Sequence, residues 1–455
     1  MKLAITNAKI VTPKKIIQGS IVVDQETGKI LKIVQGDGEA PKAVDHVYDA
    51  QGRYVLPGLI ETHGHFREPG LEHKEDIPHG TRAALAGGFT TVFDMPNVVP
   101  PTTTVKLLHE QIARYKEKSL CDFAINFGSS VHDISEVEKV DPAEITGVKV
   151  FTAGHQTTPT TVPQLSDQAK IWEIAGRRGF PVLVHAENQD LVTAREKEFQ
   201  VAGRTDMLAY SEARNEMVVE MAAWESVVLA KYYGTKLWIL HASTRGEFDA
   251  VAYGRKNGLT VGGEVTGYQL FFTTDDYAKF GTLLKVSPAL RSPKTNKELW
   301  KMMREGVIDG LCSEHTPHTL EEKNQDVWKA VSGTPGIQET VPAFLTGWVR
   351  EFGRETLEEG LLRLAKCSST NIADFFGFPQ KSGIAVGNDA DFVIVETDKP
   401  WQVQKKDLFT KLGWSVYEGM ELIGRPVATF LRGELKYENG KIVSEEYGEW
   451  LKKKI

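Results

Sequence analysis

His63 and His65 stand one residue apart at the end of an apolar run, Tyr54-Val55-Leu56-Pro57-Gly58-Leu59-Ile60. On an extended strand this spacing projects both imidazoles from one face, which suits a metal chelate. The pair alone is weak evidence, since a half-buried strand can carry two histidines with no ion between them. Other apolar runs add to it: Lys149 lies in Gly147-Val148-Lys149-Val150-Phe151, while His185 and Glu187, His241, and Glu314, His315 and His318 all follow such runs. Singly, each has a plainer reading as a hydrogen-bonded core histidine or a lysine reaching a surface carboxylate. Gathered at one mouth, they are a donor set for zinc or a related divalent ion, which lowers the pKa of bound water to about 7 and makes hydrolysis the natural use. A lysine in that company is favoured in its neutral form by burial and nearby metal charge, and a neutral amine can capture carbon dioxide.

Gathering these groups needs a scaffold that ends several strands at one place. Eight apolar runs read as parallel strands alternating with helices: Val55 to His63, Thr90 to Met95, Asp122 to Phe127, Gly147 to Phe151, Pro181 to His185, Lys236 to His241, Thr260 to Val265 and Gly310 to Cys312. The helices between them have readable ends, with Ser166 as a cap for one running to Arg178 before Gly179, Glu216 to Tyr233 stopping at Gly234, and Arg245 to Lys256 stopping before Asn257-Gly258. The expected fold is α/β, a (β/α)8 TIM-like barrel over residues 56–379, with its chemistry at the C-terminal strand ends. Residues 1–55 and 380–455 share a different texture of short strands and hairpin turns, Glu26-Thr27-Gly28 and Glu438-Asn439-Gly440-Lys441 among them. The two chain ends are expected to build one composite β-sandwich domain.

Composition excludes several other classes. The 455 residues are 41% hydrophobic and 25% charged, and 54 Lys+Arg against 61 Asp+Glu give a net charge of −7, with no basic stripe for nucleic acid. Cys121, Cys312 and Cys367 are far apart and form no CxxC pair, so neither a disulfide framework nor a thiolate metal site is indicated. The first residues break their apolar pattern too early for a signal peptide, and no apolar stretch approaches a membrane span. The cytoplasm is the expected compartment.

The ordered motifs resemble the cyclic amidases of the amidohydrolase superfamily, namely dihydroorotase, allantoinase and hydantoinase. They are His63-x-His65 with Arg67-Glu68-Pro69-Gly70, Gly87-Gly88-Phe89-Thr90-Thr91-Val92, Met95-Pro96-Asn97, Gly147-Val148-Lys149, His185-Ala186-Glu187, His241-Ala242-Ser243-Thr244 and Glu314-His315-Thr316-Pro317-His318. The likeness continues into Ser382-Gly383-Ile384 to Asp389-Ala390-Asp391. It implies two divalent metals, zinc or else manganese or cobalt, bridged by a carboxylated Lys149. His63 and His65 would bind the more buried ion and His185 and His241 the second, while Glu314 would ligate and shuttle the proton to the leaving nitrogen. It also implies a small cyclic amide or ureide as partner and a homo-oligomer, dimer or tetramer. Two departures stand out. Glutamate replaces the usual aspartate at Glu61 and Glu314, adding about 1.5 Å of reach, and Gly267-Tyr268 stands where dihydroorotases and allantoinases commonly have Pro-His.

Within the group, Arg67, Asn97 and His318 occupy the positions that hold a substrate carboxylate in dihydroorotases, which makes dihydroorotate the leading ring. Otherwise Arg67 pairs with Glu68 or Glu72, Asn97 shapes a turn and His318 is structural. Pro100-Pro101-Thr102-Thr103-Thr104, Tyr210-Ser211-Glu212-Ala213-Arg214 and Asp326-Val327-Trp328-Lys329-Ala330 look more like hydantoinase and allantoinase. Those rings, dihydropyrimidine-like rings or an oxidised purine are the alternatives. His155 either polarises the carbonyl or is a solvated loop residue, and Ser287 lies in a segment whose backbone contacts the cyclic amide in the family. A catalytically inactive partner subunit is the alternative of another class, and the intact set of four histidines and Lys149 argues against it.

Overall fold

Gly58 is where the chain leaves one sheet and enters another. In the computed structural model, which describes residues 1–36, 44–154, 158 and 160–453, Tyr54–Pro57 and Leu59–Gly64 are separate strands. The expected single strand Val55 to His63 is therefore divided. Its apolar pattern runs on unbroken because both halves are buried, while at the join the Gly58 N–H donates to Asp391 O at 2.8 Å and a Cβ there would meet Thr90 Oγ1 at 2.2 Å.

The barrel strands are β1 (Leu59–Gly64), β2 (Phe89–Asp94), β3 (Asp122–Ile125), β4 (Val148–Phe151), β5 (Val182–His185), β6 (Leu237–Ile239), β7 (Val261–Thr266) and β8 (Gly310–Cys312). They form two parallel arcs, β1 through β3 and β4 through β8; the short strand Phe127–Gly128, which continues β3, pairs with β4. β1 and β8 meet through side chain and main chain: Glu61 accepts from the Ser313 N–H at 2.9 Å, and the His65 N–H donates to His315 O at 2.9 Å. Both faces of these strands are buried, which explains their near-continuous apolar runs. Helices pack outside; Leu165–Arg178 ends at Gly179 with φ 80° and Glu216–Tyr233 ends at Gly234 with φ 68°. The cap expected at Ser166 is displaced, because the helix starts at Leu165, two residues earlier than a Ser166 cap would set it, and Gln164 precedes it with no side-chain cap.

Both chain ends enter one nine-stranded sheet. Lys2–Val11 pairs antiparallel with Ile16–Asp24 and parallel with Tyr54–Pro57, and Phe392–Glu396 runs antiparallel between Tyr54–Pro57 and Arg425–Leu431. Its own core contains Ile5, Ile10, Val23, Phe392, Ile394 and Phe430. Buried Lys381 ties this sheet to the barrel, with Nζ 2.5 Å from Asp122 at the start of β3 and 2.7 Å from Asp391.

Candidate metal centre and substrate cavity

Strand alternation places His63 and His65 on one face at the end of β1, with ring centroids 5.2 Å apart. Gly64 between them leaves room for the Phe66 ring, which a Cβ would meet at 2.4 Å. His185 closes β5 and His241 follows β6, bringing His185 Nδ1 within 2.9 Å of His241 Nε2; the His241 ring is 5.0 Å from that of His63. Glu314 follows β8, and it, His63 and His65 each offer a donor atom within 4.8 Å of the others. Lys149 in β4 is fully buried, its Nζ 4.4 Å from the Phe151 ring centroid and without a hydrogen bond among the described residues. The structure thus gathers His63, His65, Lys149, His185, His241 and Glu314 at the C-terminal end of the barrel.

Electrostatics follow from burial. Desolvation pulls the Lys149 ammonium down to about 7, against the opposing attraction of Glu314 and Glu264. Burial first, then Lys149 and the neighbouring imidazoles, keeps His63 well below its ordinary value, so it stays neutral and available as a donor. Burial raises the Glu314 carboxyl well above the usual range. Four buried imidazoles, a carboxyl and a buried amine with no hydrogen-bond partner among the described residues fit a divalent cation better than they fit an apolar core.

Several orienting contacts are not legible in the sequence, although Glu187 itself is. Glu187 accepts from His185 Nε2 at 2.9 Å and from Ser287 Oγ at 2.8 Å, and it pairs with buried Arg214. Burial alone would raise the Glu187 carboxyl, but Arg214 and His185 hold it well below the usual range, so it stays ionised. The His-x-Glu spacing was a readable signal that both side chains share a face; the partner 27 residues away was not. Glu264 in β7 lies 3.4 Å from His63 Nδ1 and accepts from Thr62 Oγ1 at 2.5 Å and Trp238 Nε1 at 2.9 Å. Such carboxylate–imidazole contacts fix ring orientation and tautomer.

A cavity opens over the cluster, walled further by Asn97, Phe151, Ser287, Thr316, Ser332 and Gly333. Asn97 and Ser287 are thus where the sequence places substrate contacts, although Ser287 engages Glu187 and Arg214 through its side chain. Arg67 and His318 are not in the wall. Both are buried; Arg67 donates from Nη2 to His318 Nε2 at 2.9 Å and from Nε to Pro317 O at 3.2 Å. Neither Glu68 nor Glu72 is an ion-pair partner of Arg67 among the described contacts. His155 lies outside the described residues. Backbone in the left-handed region recurs at Arg67 (φ 63°), His241 (φ 38°) and Glu314 (φ 47°), where the fold holds non-glycine residues in a costly conformation to aim them.

Residues 54–442 match the model of the amidohydrolase family. The chain is 30% identical to an L-hydantoinase of Paenarthrobacter aurescens, covering 97% of this chain and 96% of that protein. It is 34% identical to an allantoinase of Rubrobacter xylanophilus over 89% and 88% of the two chains, and 32% identical to a dihydroorotase of Methanothermobacter thermautotrophicus over 93% and 92%. Among solved structures, an L-hydantoinase (dihydropyrimidinase) from Arthrobacter aurescens superposes with a TM-score of 0.93 at 28% identity over 99% of both chains. A D-hydantoinase gives 0.89 at 26% identity, over 100% of this chain and 99% of that one.

Proposed function

The chain belongs to the amidohydrolase family, among its hydrolases of cyclic amides, and from that premise we propose that its substrate is an uncharged ring of the hydantoin type. The observation that carries this choice is Arg67. Its guanidinium is engaged by His318 and Pro317 behind the cavity, and no arginine or lysine is among the described residues that line the wall. Dihydroorotate carries a carboxylate that calls for such a cation. A hydantoin carries none.

The family binds divalent metals, and the donor set supports two ions here, zinc first, with manganese or cobalt as alternatives. His63 and His65 would hold one, His185 and His241 the other, and Lys149, carboxylated on its amine, would bridge them. When bound, the ions supply Lewis-acid chemistry, activating water at neutral pH and polarising the amide carbonyl. The chain's own residues do the rest. Glu187 and Glu264 fix the His185 and His63 rings. Asn97, Ser287 and the Ser332-Gly333 strip bound the ring's position and exclude bulk water. Glu314 accepts the proton of the attacking water and delivers it to the ring nitrogen as the C–N bond breaks, leaving a carboxylate and a free amide nitrogen.

Steady-state kinetics on 5-substituted hydantoins, dihydrouracil, allantoin and dihydroorotate tests the reading. The neutral rings are expected to exceed dihydroorotate in kcat/KM by about tenfold or more, the worth of one unmatched buried charge contact. Preference for dihydroorotate would return the assignment to the dihydroorotase branch. A metal-loaded protein inert on every ring would favour the inactive partner subunit.

A homo-oligomer is supported by helix Glu216–Tyr233, which exposes Met217, Met221, Trp224, Val228 and Tyr232 along one stripe. Antiparallel pairing with a second copy sets Glu216 and Glu220 opposite Lys231, and sedimentation of Trp224→Glu tests it by loss of the assembly. A cytoplasmic setting is supported by buried cysteines outside any disulfide; no helix among the described residues is long and apolar enough to cross a membrane.

A further inference from the structure

The two departures from the family pattern meet in space. Tyr268, at the second position of the short helix Gly267–Phe271, donates its hydroxyl hydrogen to Glu314 Oε2 across 46 residues of chain. Its place is fixed from both sides. A capping box, in which Thr266 Oγ1 accepts from the Gln269 N–H at 3.2 Å and Gln269 Oε1 from the Thr266 N–H at 3.4 Å, locks the helix start to the end of β7. The ring is 3% exposed and packs in a cluster with Met207, Tyr210, Phe272 and Tyr277. Glu314 is less constrained. It lines the cavity, its backbone sits at φ 47°, and its carbonyl accepts from Thr316 Oγ1 at 2.6 Å. A glutamate has one more side-chain torsion than an aspartate and about 1.5 Å more reach. A proton shuttle needs its carboxylate held within a fraction of an ångström of the productive place.

We propose that Tyr268 is the positioning residue for Glu314, holding one oxygen of the longer carboxylate so that the side chain stays at the His63–His65 cluster. The glutamate and the tyrosine then form one device: the extra methylene carries the carboxyl outward, and a rigid phenol anchors it. Tyr268 is not among the residues that line the cavity, and its only route to the reaction is through the Glu314 carboxyl it holds. The inference rests on the hydrolase reading above for its kinetic consequence, but not for its structural one.

The test compares Tyr268→Phe, Glu314→Asp and the double variant, each loaded with cobalt. Tyr268→Phe is expected to lower kcat about tenfold or more while KM stays within about twofold, because a misplaced shuttle impairs chemistry rather than ring binding. The Co(II) absorption spectrum should change in Tyr268→Phe relative to the parent. In the Glu314→Asp background, removing the hydroxyl should change neither the spectrum nor kcat, because the shorter carboxylate no longer reaches the phenol. Equal losses in both backgrounds, or an unchanged spectrum in the first, would overturn the proposal. Incorporation of 4-fluorophenylalanine at 268, which fills the para position without donating, replaces Tyr268→Phe if that variant melts early. If the parent turns over no ring, the proposed function fails while the cobalt spectra still decide the role of Tyr268.

Discussion

The Arg67 guanidinium lies 2.9 Å from His318 Nε2, both side chains buried and neither among the residues that line the cavity. Because arginine only donates, Nε2 accepts, and the remaining proton sits on Nδ1, which faces Glu322 Oε2 at 3.5 Å. Burial pulls Arg67 down to about 10 and keeps His318 well below its ordinary value, so the pair is a cation hydrogen-bonded to a neutral imidazole. Such a pair serves the packing before it serves a ligand.

Arg67→Met should therefore lower stability by about 1–3 kcal/mol through the stranded imidazole, and reduce kcat/KM for hydantoins and dihydroorotate by the same factor. Thermal melts with both assays measure this. A loss confined to dihydroorotate would show that the guanidinium reaches substrate after all.

Glu187→Gln removes one of the two carboxylate partners of a fully buried guanidinium, leaving Arg214 only the half-buried Glu196 at 3.0 Å. The weakened pairing should cost about 1–3 kcal/mol, and the loosened His185 ring should weaken metal binding by about 10–100-fold. Arg214→Met should undo much of the first effect in the double variant and little of the second. Denaturant melts and metal titration separate the two, and strictly additive melts would remove the coupling.

Lys149→Ala should lose metal and turnover together. Bicarbonate should speed reconstitution of the parent apoprotein with zinc and leave the variant unaffected. Two ions retained per chain at unchanged turnover would reject the bridging role.

A pH effect is expected at Glu339, which is not one of the proposed metal donors. Burial raises its carboxyl from 4.5 to about 7, partly opposed by a hydrogen bond with Ser415. The folded chain thus keeps a proton the unfolded chain has released, so this contribution is complete below about 4.5 and lost as pH rises through about 7. Glu339→Gln lacks the titration; its stability relative to the parent should climb by about 3 kcal/mol over that window and then level. Parallel melting curves from pH 5 to 8 would contradict it.

Lys381→Met would leave buried Asp391 without an ion-pair partner among the described residues and facing Asp122 and Asp389, which keep Arg432 and Lys29, where the terminal sheet joins β3. A loss of about 3–5 kcal/mol is expected, recovered in part when Asp391→Asn is added. Chemical denaturation of the single and double variants checks it.

Much of this was written in local pattern. Strand alternation put His63 with His65 and His185 with Glu187 on shared faces, and the apolar runs located all eight barrel strands. The same cue blurred the join at Gly58, since two buried strands in different sheets read as one run. The sequence by itself determined the barrel, the strand ends and the convergence of Lys149 with four histidines, because a right-handed βα array brings every strand's C-terminal end to one rim. Tertiary structure alone decided which partner each polar side chain took: Arg67 with His318, Glu187 with Arg214, Tyr268 with Glu314. Those pairings span 251, 27 and 46 residues and depend on side-chain reach of a few ångströms across packed strand and loop ends. Periodicity records the face a residue occupies, whereas a hydrogen bond is set by what packing brings opposite that face.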